Sequence, residues 1–242
     1  MTRSENQWKI DIILQGSPTQ AAVTLLRKHD LLVLVDSGWP RTRAQLVTAL
    51  AEQGVQPHEI THVLHTHLHI DHAANHPILT EAVLLASRTE FVWADWLYRN
   101  LIEDEDDVRF ILSVFPELSG PALEQAVVFI KVARRICRND LFSRWNEIRF
   151  YEDQALPEGL SLMPLPGHTP GHCGIVVSNI EPVLIVGDAL TTEHTCLSRM
   201  PPTDPNDFKA SIERVRSFRG RIVPGHLPPF EQRLGGGRGE WG

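Results

Sequence analysis

The chain has 242 residues, 42% hydrophobic and 22% charged, which suits one sizeable core and excludes a disordered or membrane-spanning composition. A formal charge of −7 argues against a nucleic-acid binder, which would carry a basic footprint. The three cysteines, Cys137, Cys173 and Cys196, have no C-x-x-C spacing, fit neither a disulfide framework nor a zinc–thiolate site, and read as buried thiols.

The first seven residues are polar and lack the apolar stretch of a signal peptide, and the apolar runs are strand-sized, so a cytoplasmic protein without a membrane partner is expected. Lys9–Leu14, Ala21–Leu26 and Leu31–Val35 read as strands, the last running into Asp36-Ser37-Gly38, where glycine permits a sharp turn. From Pro40 the period becomes helical, with Leu46, Ala49, Leu50 and Gln53 on one face and Gly54 after the end. Ile60–His65 and Ala82–Ala86 are further strands.

Residues from about 88 to 149 break this rhythm with three helical runs and a short fourth one, and are expected to form a helical cap inserted into a domain spanning 1–234. The insertion carries an acidic run at 103–107 and arginines at 134, 135, 138, 144 and 149. Solvated helix faces are the preferred reading; a substrate-clamping arginine is the sharper one. Strands return at Leu160–Leu165, Gly174–Val177, Val183–Val186 and Arg221–Val223, with a helix from about Pro205 before the last. The glycine-rich tail, 235–242, reads as flexible.

Four of the twelve histidines fall in His65-Thr66-His67-Leu68-His69-Ile70-Asp71-His72, directly after an apolar strand. Positions two apart on extended chain face the same way, so His67 and His69 can aim at one cation, while Asp71 and His72 on the following turn can aim at another. Three later segments each offer a ligand just after a strand: Pro166-Gly167-His168, Gly187-Asp188 and Pro224-Gly225-His226. Isolated histidines such as His29, His58, His62 and His76 read as ordinary surface or core residues, and Asp36 as a turn-former.

In this order, His-x-His-x-Asp-His, Pro-Gly-His, Gly-Asp and Pro-Gly-His resemble the metallo-β-lactamase superfamily from Asp36 to His226. The resemblance implies an α/β four-layer αββα sandwich. It also implies that His67, His69 and His168 hold one metal, that Asp71, His72 and His226 hold a second, and that Asp188 bridges them. His65 and His172 would stand behind these ligands, and Asp36 would support the metal loop. Two divalent ions are implied, zinc first, with iron or manganese also compatible. A dinuclear-metal-activated hydroxide would cleave the substrate, with Asp71 orienting it and carrying the proton.

The bridging aspartate resembles the glyoxalase II and acyl-homoserine lactonase branch, so a small ester, lactone or thioester is the expected substrate. A phosphodiesterase or nuclease, or a β-lactamase-type amide hydrolase, is the alternative. Ile12–Gly16 and Val35–Gly38 also resemble a small animal single-domain member linked to RNA processing. No tyrosine follows Asp188 where the lactonases place one; Thr192, His194 or Tyr98 is the expected substitute at the substrate. The partner is a small molecule, and the oligomeric state is open, a homodimer included.

Overall fold

The computed structural model describes residues 7–18, 20–190 and 202–232. Two mixed sheets face each other. The first has the order β1-β2-β3-β4-β5-β6, formed by Lys9–Leu14, Val23–Lys28, Leu31–Val35, His62–Leu64, Val83–Ala86 and Arg149–Phe150. The second has the order β11-β10-β9-β8-β7, formed by Phe230–Gln232, Gly220–Pro224, Val183–Gly187, Cys173–Val177 and Leu160–Pro164. Strands β3 to β6 run parallel, as do β9 and β10.

Both faces of the central strands are apolar because both are covered. Along β3, Leu34 points to one core while Val33 and Val35 point to another; Val63 and Leu64 divide likewise on β4, and Leu84 and Leu85 on β5. The inner core between the sheets joins Val33, Val35, Leu64 and Leu85 to Ile175, Ile185 and Val223. On the outer face of the first sheet lie α1 (Arg43–Glu52) and the inserted helices α3 (Arg88–Glu103), α4 (Asp107–Val114) and α5 (Gly120–Asn139); a one-turn α2 (Ile70–Ala73) follows β4. On the outer face of the second, α6 (Pro205–Ser217) packs Val215 against Leu184, Val186 and Ile222. Period-two strands buried on both sides therefore give the expected four layers of helix, sheet, sheet and helix.

Two short strands, β6 and β11, were not legible in the sequence; each adds to an edge by only two or three residues. The insertion's arginines act within it. Arg134 donates to the carbonyls of Leu101 and Asp104 at the end of α3 and pairs with Asp107 at 2.7 Å. Arg138 donates to Ile102 O, and Arg144 to Leu79 O, Ala82 O and Glu147. These three satisfy carbonyls left without intrahelical or strand partners, so the clamp reading gives way to a structural one for them. Thr192, His194, Cys196 and the tail at 235–242 lie outside the described residues.

Candidate metal centre

Parallel pairing sets the site at one end of both sheets. Val35 lies beside Leu64 in register, so Asp36 and the histidine stretch leave the first sheet together. Pro224 lies beside Gly187, so Asp188 and His226 leave the second sheet together, linked by Gly225 N–H to Gly187 O at 2.7 Å. Gly187 adopts φ +50°, and a side chain there would collide with Thr66 Oγ1. A Cβ on Gly225 would lie 2.3 Å from Asp188 Oδ1. The Gly-Asp and Gly-His pairs thus let two loops close onto the histidine stretch.

Seven side chains converge there. His67 Nε2 and His168 Nε2 each approach His69 Nδ1, at 3.1 and 3.0 Å. Asp188 Oδ2 lies 3.4 Å from His168 Nε2 and 3.5 Å from His226 Nε2, and its Oδ1 lies 3.2 Å from His72 Nε2. Asp71 Oδ2 is 3.2 Å from His226 Nε2 and 3.9 Å from His72 Nε2. His67, His69 and His168 form one cluster, Asp71, His72 and His226 a second, and Asp188 touches both.

These contacts fit cations better than hydrogen bonds. Nitrogens bound at about 2.0–2.1 Å to one tetrahedral zinc stand about 3.3 Å apart. His72 Nε2, His226 Nε2 and Asp188 Oδ1 are buried without any hydrogen-bond partner despite facing one another. Buried polar atoms left without partners in this way are costly unless something binds them.

The electrostatics divide the histidines. Burial holds His67 and His168 well below the ordinary imidazole range, as the neutral donors a cation needs. Burial opposes charge on His226 too, but the carboxylates of Asp188 and then Asp71 hold it up at about 12. His72 is raised in the same way, against burial, by Asp188, Asp36 and Asp71. Burial alone would raise Asp71, yet the charges of His72 and His226 take it down to about 2.

Behind the clusters, Asp36 accepts from Thr66 N–H at 2.8 Å and Thr66 O–H at 2.9 Å, and meets His72 Nδ1 at 2.8 Å. This fixes the proton of His72 on Nδ1 and turns Nε2 to the site. Asp36 is thus the turn-former expected, at φ +59°, and it also anchors the loop that carries the histidine stretch. His172 Nε2 accepts from Asp188 N–H at 3.1 Å and so holds the carboxylate's backbone. His65 differs from expectation: its ring makes no hydrogen bond to a ligand, but bonds Leu85 O through Nδ1 and His76 through Nε2, tying β4 to β5. Tyr98 contributes its ring to the cavity wall beside the site, and its hydroxyl donates to Leu68 O at 2.9 Å.

One residue here had no sequence reading. Glu90, on the first turn of α3, is buried, and burial, opposed by its hydrogen bonds, pushes its carboxyl up to about 7. Ser87 Oγ accepts from Glu90 N–H, so Ser87-x-x-Glu90 reads as a capping box. The glutamate side chain, however, leaves the helix for the metal loops.

A cavity opens between the clusters and the inserted helices, with about 700 Å³ not filled by atoms, part of it open to solvent. His69, Asp71 and Asp188 form its polar end, and Trp93, Leu97, Phe110, Ile111, Phe129 and Ala133 are among its apolar walls.

Residues 16–226 match the sequence family described as the metallo-beta-lactamase superfamily. The rat protein called metallo-beta-lactamase domain-containing protein 1 is 49% identical over 204 residues, covering 82% of this chain and 62% of the rat protein. This chain thus spans about three fifths of that relative's length. A probable metallo-hydrolase of Methanocaldococcus jannaschii is 22% identical over 80% of this chain and 70% of its own. Among solved structures, the dizinc quorum-quenching lactonase AidC, in complex with an acyl-homoserine product, superposes with a TM-score of 0.59 at 21% identity. That match covers 86% of this chain and 72% of AidC, and shows a shared fold.

Proposed function

Because the chain belongs to the metallo-β-lactamase superfamily, we propose that it is a dinuclear metallo-hydrolase cleaving an ester, lactone or thioester that carries an apolar acyl group. His67, His69 and His168 would hold one ion, Asp71, His72 and His226 the other, with Asp188 shared. Two divalent ions, zinc first, would supply an activated water and polarise the scissile carbonyl. Asp71 is ionised at neutral pH and lines the cavity, and it would take a proton from the attacking water and return it to the leaving group.

The observation that carries the substrate class is the cavity. A carbonyl at its polar end leaves the attached chain against Trp93, Phe110 and Phe129, where apolar surface is buried on binding. A phosphodiester would call for cationic side chains there, and none of the described lining residues is lysine or arginine. The bound product of AidC is an acyl-homoserine, which is consistent with this reading.

A panel of nitrophenyl esters from acetyl to decanoyl, acyl lactones, a thioester, bis-nitrophenyl phosphate and a chromogenic cephalosporin tests it. At about 0.8 kcal/mol per buried methylene, kcat/KM should rise about three- to fourfold per methylene until the cavity fills. Preference for the phosphodiester or the cephalosporin, or indifference to chain length, would overturn the proposal.

A further inference from the structure

Helix α3 grips the turn between two of the proposed ligands from both sides. Glu90 Oε1 accepts from Leu68 N–H at 2.9 Å, while Tyr98, two turns further along the helix, donates to Leu68 O at 2.9 Å. Leu68 is the residue between His67 and His69, and its side chain is fully buried. Its backbone has no strand or helix to satisfy it, so α3 supplies both partners. The second oxygen of Glu90 reaches the other sheet's loop, accepting from Thr169 O–H at 2.6 Å and Gly171 N–H at 3.1 Å, directly after His168. Contact there is close: a Cβ on Gly171 would lie 2.1 Å from Glu90 N.

We infer that Glu90 and Tyr98 are the positioning residues of the His67–His69–His168 cluster, with Glu90 joining the two loops that bring it together and thereby coupling the inserted helices to the first metal. The inference rests on the metal reading above and concerns only one of its two clusters. The second cluster is aligned differently, through Asp36 and His72. Two accepting oxygens are required, one for Leu68 N–H and one for Thr169 and Gly171. In Glu90→Gln the amide nitrogen cannot accept, so either Leu68 N–H or Gly171 N–H faces another donor in a buried place.

The test is zinc affinity by competition with a chromogenic chelator, read in two backgrounds of the full chain. His226→Ala weakens the second cluster and leaves the first; His168→Ala does the reverse. Glu90→Gln should weaken zinc binding about 10- to 100-fold in the His226→Ala background and less than about threefold in the His168→Ala background. Should Glu90→Gln not fold, Tyr98→Phe keeps the ring and removes only the donor to Leu68, with an expected loss of about three- to tenfold confined to the same background. Equal losses in both backgrounds, or none in either, would overturn the inference and reduce both residues to a general structural role. An unsubstituted protein that binds no zinc would instead refute the metal reading itself, and the inference with it.

Discussion

Asp36→Asn is the sharpest perturbation of the second cluster because it changes one atom and keeps the backbone. Asparagine tolerates the left-handed conformation that Asp36 adopts at φ +59°. Its Oδ1 can still accept from Thr66 N–H, as Asp36 Oδ1 does at 2.8 Å. The amide nitrogen then stands where Oδ2 met His72 Nδ1 at 2.8 Å, and it donates instead of accepting. The single proton that His72 keeps once its ring is neutral is then driven to Nε2, the buried atom that faces Asp188 and Asp71. A cation there must displace that proton against the unfavourable tautomer. Loss of such a supporting carboxylate weakens metal binding by about 10- to 100-fold, or about 1.4–2.8 kcal/mol. Zinc titration with chelator competition should show the second binding step weakened by that amount and the first by less, because Asp36 Oδ2 also accepts from Thr66 O–H, whose oxygen lies 3.0 Å from His67 Nδ1. Imidazole nitrogen shifts in NMR should report the tautomer change at His72. An Asp36→Asn protein that binds both ions like the parent would refute the argument that Asp36 sets the lone pair of His72.

Metal binding should also release protons. Asp188 and Asp71 hold His226 at about 12, and His72 is raised as well, so both are charged at neutral pH until an ion takes their lone pairs. Calorimetry in buffers of different ionisation enthalpy should find about two protons released per chain, with affinity falling as pH falls. In the chelator-treated protein the same upward shift of His226 stabilises the fold fully below its unfolded value, about 6.5, and that contribution is lost progressively as pH rises toward 12. Denaturant midpoints between pH 6 and 10 check the sign. Asp188→Ala should abolish turnover and reduce bound metal with the fold retained, measured by elemental analysis and circular dichroism. Ala133→Phe, at a buried cavity wall, should raise KM for a decanoyl ester about tenfold or more while leaving an acetyl ester within about twofold. Equal effects on both esters would separate the cavity from the acyl chain.

Much of the centre was legible in the chain itself. Strand periodicity is local, so Ile60–Leu64, Val183–Val186 and Ile222–Val223 announced buried strands, and each is followed within about three residues by a proposed ligand. Glycine before Asp188 and before His226 signalled tight turns, and the structure shows what each makes room for. Two-residue spacing placed His67 and His69 on one side, and their nitrogens do lie 3.1 Å apart.

Other roles depended on which layers meet. His65 shares the motif's composition, but its ring bonds Leu85 and His76 because β4 lies between β3 and β5. The arginines of the insertion looked available for a substrate, and Arg134, Arg138 and Arg144 are taken by carbonyls that only the packed helices and strand ends bring within reach. Glu90 lies in what reads as an ordinary capping box, yet its side chain bonds residues 22 to 81 positions away. The opening stretch determined by itself which atoms could hold the metals, because side-chain direction in a strand and turn is a property of neighbouring residues. Which groups hold those atoms still was decided by tertiary structure, because a buried hydrogen bond forms with whatever the packing of sheets and helices places about 3 Å away.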